Sequence, residues 1–436
     1  MTQVAERHET YAARFTAFRG QPAFGPEWLR PIREAAFERF QSTGFPTTRD
    51  EDWRFTNVAP IAETVFVEPA ADTAVARGAI TPFLFDAAIA AQIVVVNGRV
   101  APTLSSLDVL PAGVTVTSGR DAATAGASHA PVGSIADTTL PFTALNTALF
   151  ADAVVLRVAP KAVVTAPIHI LFVSSASGAP VMVSPRLLVV VGEGAQVSLV
   201  ESYASLAGAQ TFTNAVSEFI LAERAIVAHV KVQREHATAF HVAAMFVSSG
   251  RSATFSSQSI SLGGRIVRND VVSTLAGDGA ECTLNGLYIA QGDSLVDNHT
   301  TIDHAQPHCP SHEVYKGILG GRAKAVFNGK IIVRPDAQKT NAKQTNKALL
   351  LSDEAAINTK PQLEIFADDV KCTHGAAIGQ IDEDALFYLQ ARGIALADAR
   401  HMMIHAFAGE VIDHITIDVV RACVERVMLE QLSLGR

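Results

Sequence analysis

The residues best suited to soft-metal chemistry lie in the C-terminal half of the chain. In the segment Asp368-Asp369-Val370-Lys371-Cys372-Thr373-His374-Gly375 a thiol and an imidazole stand two positions apart. Side chains two apart on an extended backbone point to one face, so an extended run from Leu363 through His374 would place Cys372 beside His374. Two donors complete neither a tetrahedral metal site nor an iron-sulfur cluster, and a functional reading therefore needs further ligands from another chain or from a substrate. By itself Cys-x-His is a weak signal that more often describes two structural residues. A second concentration of donors comprises His299, His304, His308, Cys309 and His312, with Asp297 and Asp303 nearby. Imidazole, thiolate and carboxylate suit zinc or iron. The spacings match no closed zinc module, and Pro307 and Pro310 exclude a single regular helix presenting them. The alternative is a run of polar strand edges and loop histidines.

Other chemistries are disfavoured. Gly329-Lys330 lacks the earlier glycine of a phosphate-binding loop and is followed by Ile331, so the chain is not expected to hydrolyse ATP itself. Gly192-x-Gly194 follows a strand-like run but precedes the alternating Val197 and Leu199 instead of a helix, which rules against a dinucleotide fold. The four cysteines, Cys282, Cys309, Cys372 and Cys423, contain no Cys-x-x-Cys pair, so neither a disulfide framework nor a self-sufficient thiolate site is expected. A net charge of -8 offers no Lys/Arg excess for nucleic acid. The polar N-terminus and the lack of any apolar run near the roughly 20 residues of a bilayer span predict a cytoplasmic protein without membrane contact.

The elements that must position these residues follow from periodicity. Leu29, Ile32, Ala36 and Phe40 recur at helical spacing between Pro26 and Phe40, and the charged stretch around Trp53 reads as a connecting loop. From about residue 90 the texture becomes short β-branched runs, such as Ile93–Val96 before Asn97-Gly98, with no helix-period segment between them. Gly192-Glu193-Gly194-Ala195, Ala222-Glu223-Arg224-Ala225, Gly250-Arg251-Ser252-Ala253 and Gly277-Asp278-Gly279-Ala280 recur at intervals of 27 to 30 residues, and each introduces a strand. An evenly spaced turn followed by a strand is what a solenoid requires, because each coil must bend at the same place. A parallel β-helix is the reading, with a β-sandwich of coincidental turns as the alternative. Beyond residue 380, helices are expected after the capping Asp382, from Ala397 to about Ile412, and from Ile417 to Leu432, where Ile417, Val420, Val424 and Val427 form an apolar stripe that must meet either the body or a partner. The expected organisation is a helical region 1–85, a mainly β core 86–375 and a C-terminal helical region 376–436.

Several segments resemble the SufB/SufD family: Asn298–His304, Glu313–Gly317, Val326–Ile331, Arg334–Thr340, Leu363–Gly375 and Phe387–Ile394, with a weaker likeness around Trp53-Arg54-Phe55-Thr56. The resemblance implies a right-handed parallel β-helix between helical termini. It also implies a non-catalytic scaffold for iron-sulfur cluster assembly that pairs with SufB and binds the SufC ATPase through its C-terminal helices. The nascent cluster would be transient and shared with SufB, with none held tightly by the isolated chain, which could instead form a homodimer. In that family the motif histidine, here His374, faces a cysteine of SufB, and Cys372 lies beside it. The isolated cysteines, the length and the Cys372–Gly375 motif resemble the SufD branch. Two other classes remain open: a carbohydrate-active β-helix enzyme, which would need carboxylates at corresponding corners where Glu193, Glu223, Arg251 and Asp278 are instead of mixed sign, and a stand-alone metal-binding protein using the 299–312 donors.

Overall fold

The computed structural model describes residues 2–70, 73–85, 88–119, 131–176, 178–206, 208 and 210–434. Two long, mainly parallel sheets face each other as a β-solenoid. Along the first sheet the successive coils contribute Ile168–Ser174, Gln196–Ser205, Ile226–Arg234, Thr254–Ser261, Glu281–Ala290, Pro310–Leu319, Asn341–Leu350 and Lys371–Gln380. The second sheet carries Arg186–Val191, Thr211–Leu221, Phe240–Ser249, Ile266–Leu275, Leu295–His304, Lys324–Val333 and Ala356–Ile365. The chain alternates between the sheets, so every strand stacks on the one a coil earlier and all mid-solenoid pairings are parallel.

The recurring turn has one physical cause. Its third residue adopts a left-handed conformation in every copy: Gly194, Arg224, Ser252 and Gly279 have φ of 63°, 56°, 54° and 68°. The fourth residue, Ala195, Ala225, Ala253 or Ala280, is wholly buried at the corner, where only a small side chain fits. The device runs past the copies legible in the sequence, to Lys161 before them and to His308-Cys309 and Lys339-Thr340 after them, with φ of 64°, 57° and 62° at the left-handed positions. Each left-handed N–H donates to the carbonyl of the neighbouring corner, from Lys161 to Glu193, Gly194 to Glu223, Arg224 to Arg251, Ser252 to Asp278, Gly279 to Pro307, His308 to Gln338 and Lys339 to Asp369. A conformation unfavourable for most residues is thus held by a continuous ladder of bonds.

Inside the solenoid the inward side chains interlock. Gly286 is paired in register with Tyr315, and Gly317 with Tyr288, so each ring fills the space above a missing side chain. A Cβ on Gly286 would lie 2.2 Å from Tyr315 Cε1, and one on Gly317 would lie 2.3 Å from Tyr288 Cε2. Gly286→Ala or Gly317→Ala is therefore expected to destabilise the solenoid by about 1–3 kcal/mol through overpacking, lowering the midpoint in urea unfolding. An unchanged midpoint for both variants would count against the interlock.

The flanking helices cover opposite faces. Thr2–Arg19 and Arg30–Thr43 pack with the helix Pro141–Leu149 on the outside of the second sheet, burying Phe212, Phe240, Val242 and Ile266. Pro141–Leu149 corrects the expectation that no helix interrupts the β-rich middle. Its residues from Phe142 to Leu149 are all buried, so it lacks the polar face that makes helical periodicity visible. Arg33, 1% exposed, lies 3.9 Å from the Phe150 ring centroid and donates to the Ala148 carbonyl at 3.2 Å. The helices Glu383–Ala391, Leu396–Ile412 and Asp418–Leu434 cover the first sheet, where Ile417, Val420, Val424 and Met428 join Val230, Ile260, Leu287 and Ile318 in one cluster. The stripe expected to seek the body or a partner meets the body. Asp382 caps the first of these helices by accepting from Asp384 N and Ala385 N. No helix is long and apolar enough to cross a membrane among the described residues.

Candidate site at the open end of the solenoid

The last coil is paired on one side only. Ala356–Ile365 pairs with Lys324–Val333, and Lys371–Gln380 pairs with Asn341–Leu350; both then end their sheets. Two adjacent strand edges consequently present backbone donors and acceptors without a ladder partner, together with Ile365, Phe366 and Ile378, which are 40%, 62% and 48% exposed. Long open edges of this kind are templates for pairing with another chain.

Cys372 and His374 lie on this terminal coil. The run from Leu363 to His374 is not one extended segment: Leu363 lies in the strand Ala356–Ile365 of the second sheet, the chain turns over 366–370, and Lys371–Gln380 returns in the first. The inference that Cys372 and His374 share a face holds nonetheless, because both belong to the same strand. That strand runs through position 375 to Gln380. Register identifies the shared face as the inner one. Cys372 continues the column Cys282, Ser311, Ala342, and His374 continues Leu284, Glu313, Gln344. With no coil above it, an inward residue here opens toward solvent: Cys372 is half-buried and His374 is exposed. Burial pushes the Cys372 thiol up, partly countered by a backbone bond from Ala342.

The donors between 297 and 312 are dispersed by the coil geometry. His299 points outward from the second sheet beside Asp297, with Nε2 to Oδ1 at 3.0 Å. His304 points inward, fully buried, with Nε2 3.0 Å from Ser311 Oγ, and burial drives its pKa down to about 4. His308 occupies a left-handed corner, Cys309 fills the buried corner position next to it, and His312 is exposed on the first sheet. No group of three or more His, Cys, Asp or Glu is placed to hold a metal ion among the described residues. The charged corners pair with one another, Arg224 with Glu193 and Glu223, and Arg251 with Glu223, as solvated corners should.

The stretch around Trp53, expected as a connecting loop, is instead a docked strap. Trp53 is 7% exposed and lies under the Arg268 guanidinium at 3.7 Å, while Arg268 Nη1 donates to the Asp52 carbonyl at 2.7 Å. Thr56 Oγ1 donates to Asp297 Oδ2 at 2.6 Å, which Arg268 Nη1 also reaches at 2.6 Å. Asp297 is wholly buried. Burial works to raise its pKa, but Arg268, His299 and Thr56 outweigh it and hold the carboxyl at about 2.

Sequence reasoning missed the side chains beneath the terminal coil. Glu313 is 1% and Gln344 1% exposed, and Gln344 Nε2 donates to Glu313 Oε2 at 2.7 Å. Burial lifts the Glu313 carboxyl to about 7. The only signal in the sequence is that Glu313, Gln344 and His374 sit at intervals of about one coil, which becomes meaningful once the register is known.

Comparison with known proteins bears on the whole chain. Residues 172–407 match the model described as SUF system FeS cluster assembly, SufBD core domain, and residues 8–170 match the SufBD protein N-terminal region. A SufBD family iron-sulfur cluster assembly protein of Synechocystis sp. is 36% identical over 88% of this chain and 87% of its own length. The iron-sulfur cluster assembly protein SufD of Escherichia coli is 32% identical over 87% of this chain and 88% of its own. A chloroplastic protein of Arabidopsis thaliana, ABCI7, is 31% identical over 88% and 82%. With both regions of the family matched in order and the solenoid in place between the helical ends, the chain belongs to the SufBD family of the SUF iron-sulfur cluster assembly system.

Proposed function

We propose that this chain is a non-catalytic scaffold subunit, and that an iron-sulfur cluster is built as cargo at the open end of its solenoid, with Cys372 and His374 supplying part of the ligand set. The observation that carries this reading is that both residues face inward on a terminal strand whose edge is unpaired. A thiol and an imidazole give two donors where a cluster needs more, so the remainder comes from a second chain joined at the same edge. The partner that fits is the SufB paralogue, pairing strand to strand, with a second copy of this chain as the arrangement in its absence. The family likeness to the Escherichia coli SufD supports that assignment.

The C-terminal helices serve in this reading as the dock for the SufC ATPase. Their internal stripe is spent on the solenoid, which leaves Phe387, Tyr388, Leu396, Met402 and Leu429, from 40% to 73% exposed, as the contact surface. The test of the cluster site is His374→Ala in the co-expressed complex. An orienting partner alone typically accounts for 10–100-fold in metal affinity, so losing the ligand itself should lower cluster yield by roughly tenfold or more, with folding and complex formation intact. Unchanged yield would remove His374 from the site.

A further inference from the structure

The side chains below His374 are arranged as though to hold its ring. Glu313, Gln344 and His374 are directly in register on three successive coils and point the same way. Neighbouring strands lie about 4.8 Å apart, so each of these side chains is the immediate neighbour of the next. Gln344 spends its Nε2 on Glu313, at 2.7 Å, which turns its Oε1 away from that carboxyl. That Oε1 is buried and has no hydrogen-bond partner. Room for the amide comes from Gly329, where a Cβ would approach Gln344 Nε2 to 2.2 Å. A buried amide oxygen without a donor is costly, by about 1–3 kcal/mol, and is explained when a donor sits next to it in the column. The next side chain is an imidazole.

Resting on the reading of His374 as a ligand, we infer that Glu313 and Gln344 are positioning residues that fix its tautomer. With the His374 ring turned onto the column, Gln344 Oε1, which has no other partner, would accept one ring N–H, and the other ring nitrogen would keep its lone pair for incoming iron. Glu313 acts through Gln344 by anchoring Nε2 and so setting which end of the amide faces the ring. The arrangement belongs to the same class as the carbonyl or carboxylate partners that orient metal-bound histidines elsewhere. The open end therefore carries a prepared ligand instead of a freely turning one.

The test is imidazole nitrogen NMR on the full-length, metal-free chain at mildly alkaline pH, with the His374 signals identified by their loss in His374→Ala. The wild type should show one neutral tautomer, and Gln344→Leu should show exchange between two. Glu313→Gln, which keeps an acceptor for Nε2, should preserve the single tautomer, whereas Glu313→Leu should lose it. Cluster yield on the complex should fall about tenfold in Gln344→Leu at an unchanged unfolding midpoint. Equal tautomer exchange in wild type and Gln344→Leu would overturn the column whatever the cluster yield. If the tautomer responds as expected but His374→Ala leaves the yield untouched, the reading of His374 as a ligand fails and the column survives it.

Discussion

Asp297→Ala should destabilise the folded chain by about 3–5 kcal/mol, the range for removing one partner of a buried ion pair. Asp297 is 0% exposed and accepts from Arg268 Nη1 and Thr56 Oγ1, both at 2.6 Å, while His299 Nε2 lies 3.0 Å from its other oxygen. Alanine would leave Thr56 without its acceptor and deprive Arg268 of one of its two carboxylates; Asp270 would remain, through bonds of 3.0 and 2.8 Å. The loss should be directional. Arg268 holds the strap through Trp53 and the Asp52 carbonyl, so loosening it frees the N-terminal helices from the second sheet before the solenoid itself opens. Limited proteolysis should cut between Arg49 and Val58 faster in the variant, and urea unfolding should show the loss. Protection equal to wild type with a cost below about 1 kcal/mol would refute this role for Asp297.

The strap shows where sequence reasoning stops. Trp53 and Thr56 are conspicuous, but their partners Arg268 and Asp297 lie more than two hundred residues away, and no local pattern announces a contact of that separation. The solenoid was easier because its signal is local and repeated: a left-handed turn followed by a buried alanine, at an interval the coil circumference fixes. The four copies legible in the sequence all end in alanine. His308-Cys309 and Lys339-Thr340 perform the same turn with unrelated side chains, since the backbone ladder supports the conformation and the side chains need not.

The candidate site was legible in part for the same reason. A separation of two within one strand assigns Cys372 and His374 to one face whatever surrounds them. Whether that face looks into the lumen or out to solvent depends on register, which is fixed by strands a coil away. The donors at 299–312 illustrate the converse. Their closeness in sequence is undone by the coil, which sends His299 outward, His304 inward and His308 to a corner.

Glu313 carries the second large effect, and its sign runs opposite to that of most carboxylates. Burial keeps its pKa at about 7 in the fold, against about 4.5 for an ordinary glutamate. Between those values the unfolded chain has released its proton and the folded chain has not, so stability falls as pH rises through the window. The full penalty, roughly 3 kcal/mol, is in force above about pH 7. Glu313→Gln keeps the shape and an acceptor for Gln344 but cannot ionise. The variant should match wild type near pH 4 and exceed its stability by roughly 3 kcal/mol near pH 8. The acid limb should be common to both proteins. Glu201, held at about 2 by His229, Lys231 and Tyr203 against the upward pull of burial, contributes stability that is lost as pH falls from about 4.5 toward 2. Denaturant unfolding of both proteins across this range separates the limbs. A difference between them that does not grow with pH would mean that Glu313 is ionised in the fold, with a counter-charge or water in the lumen to hold it.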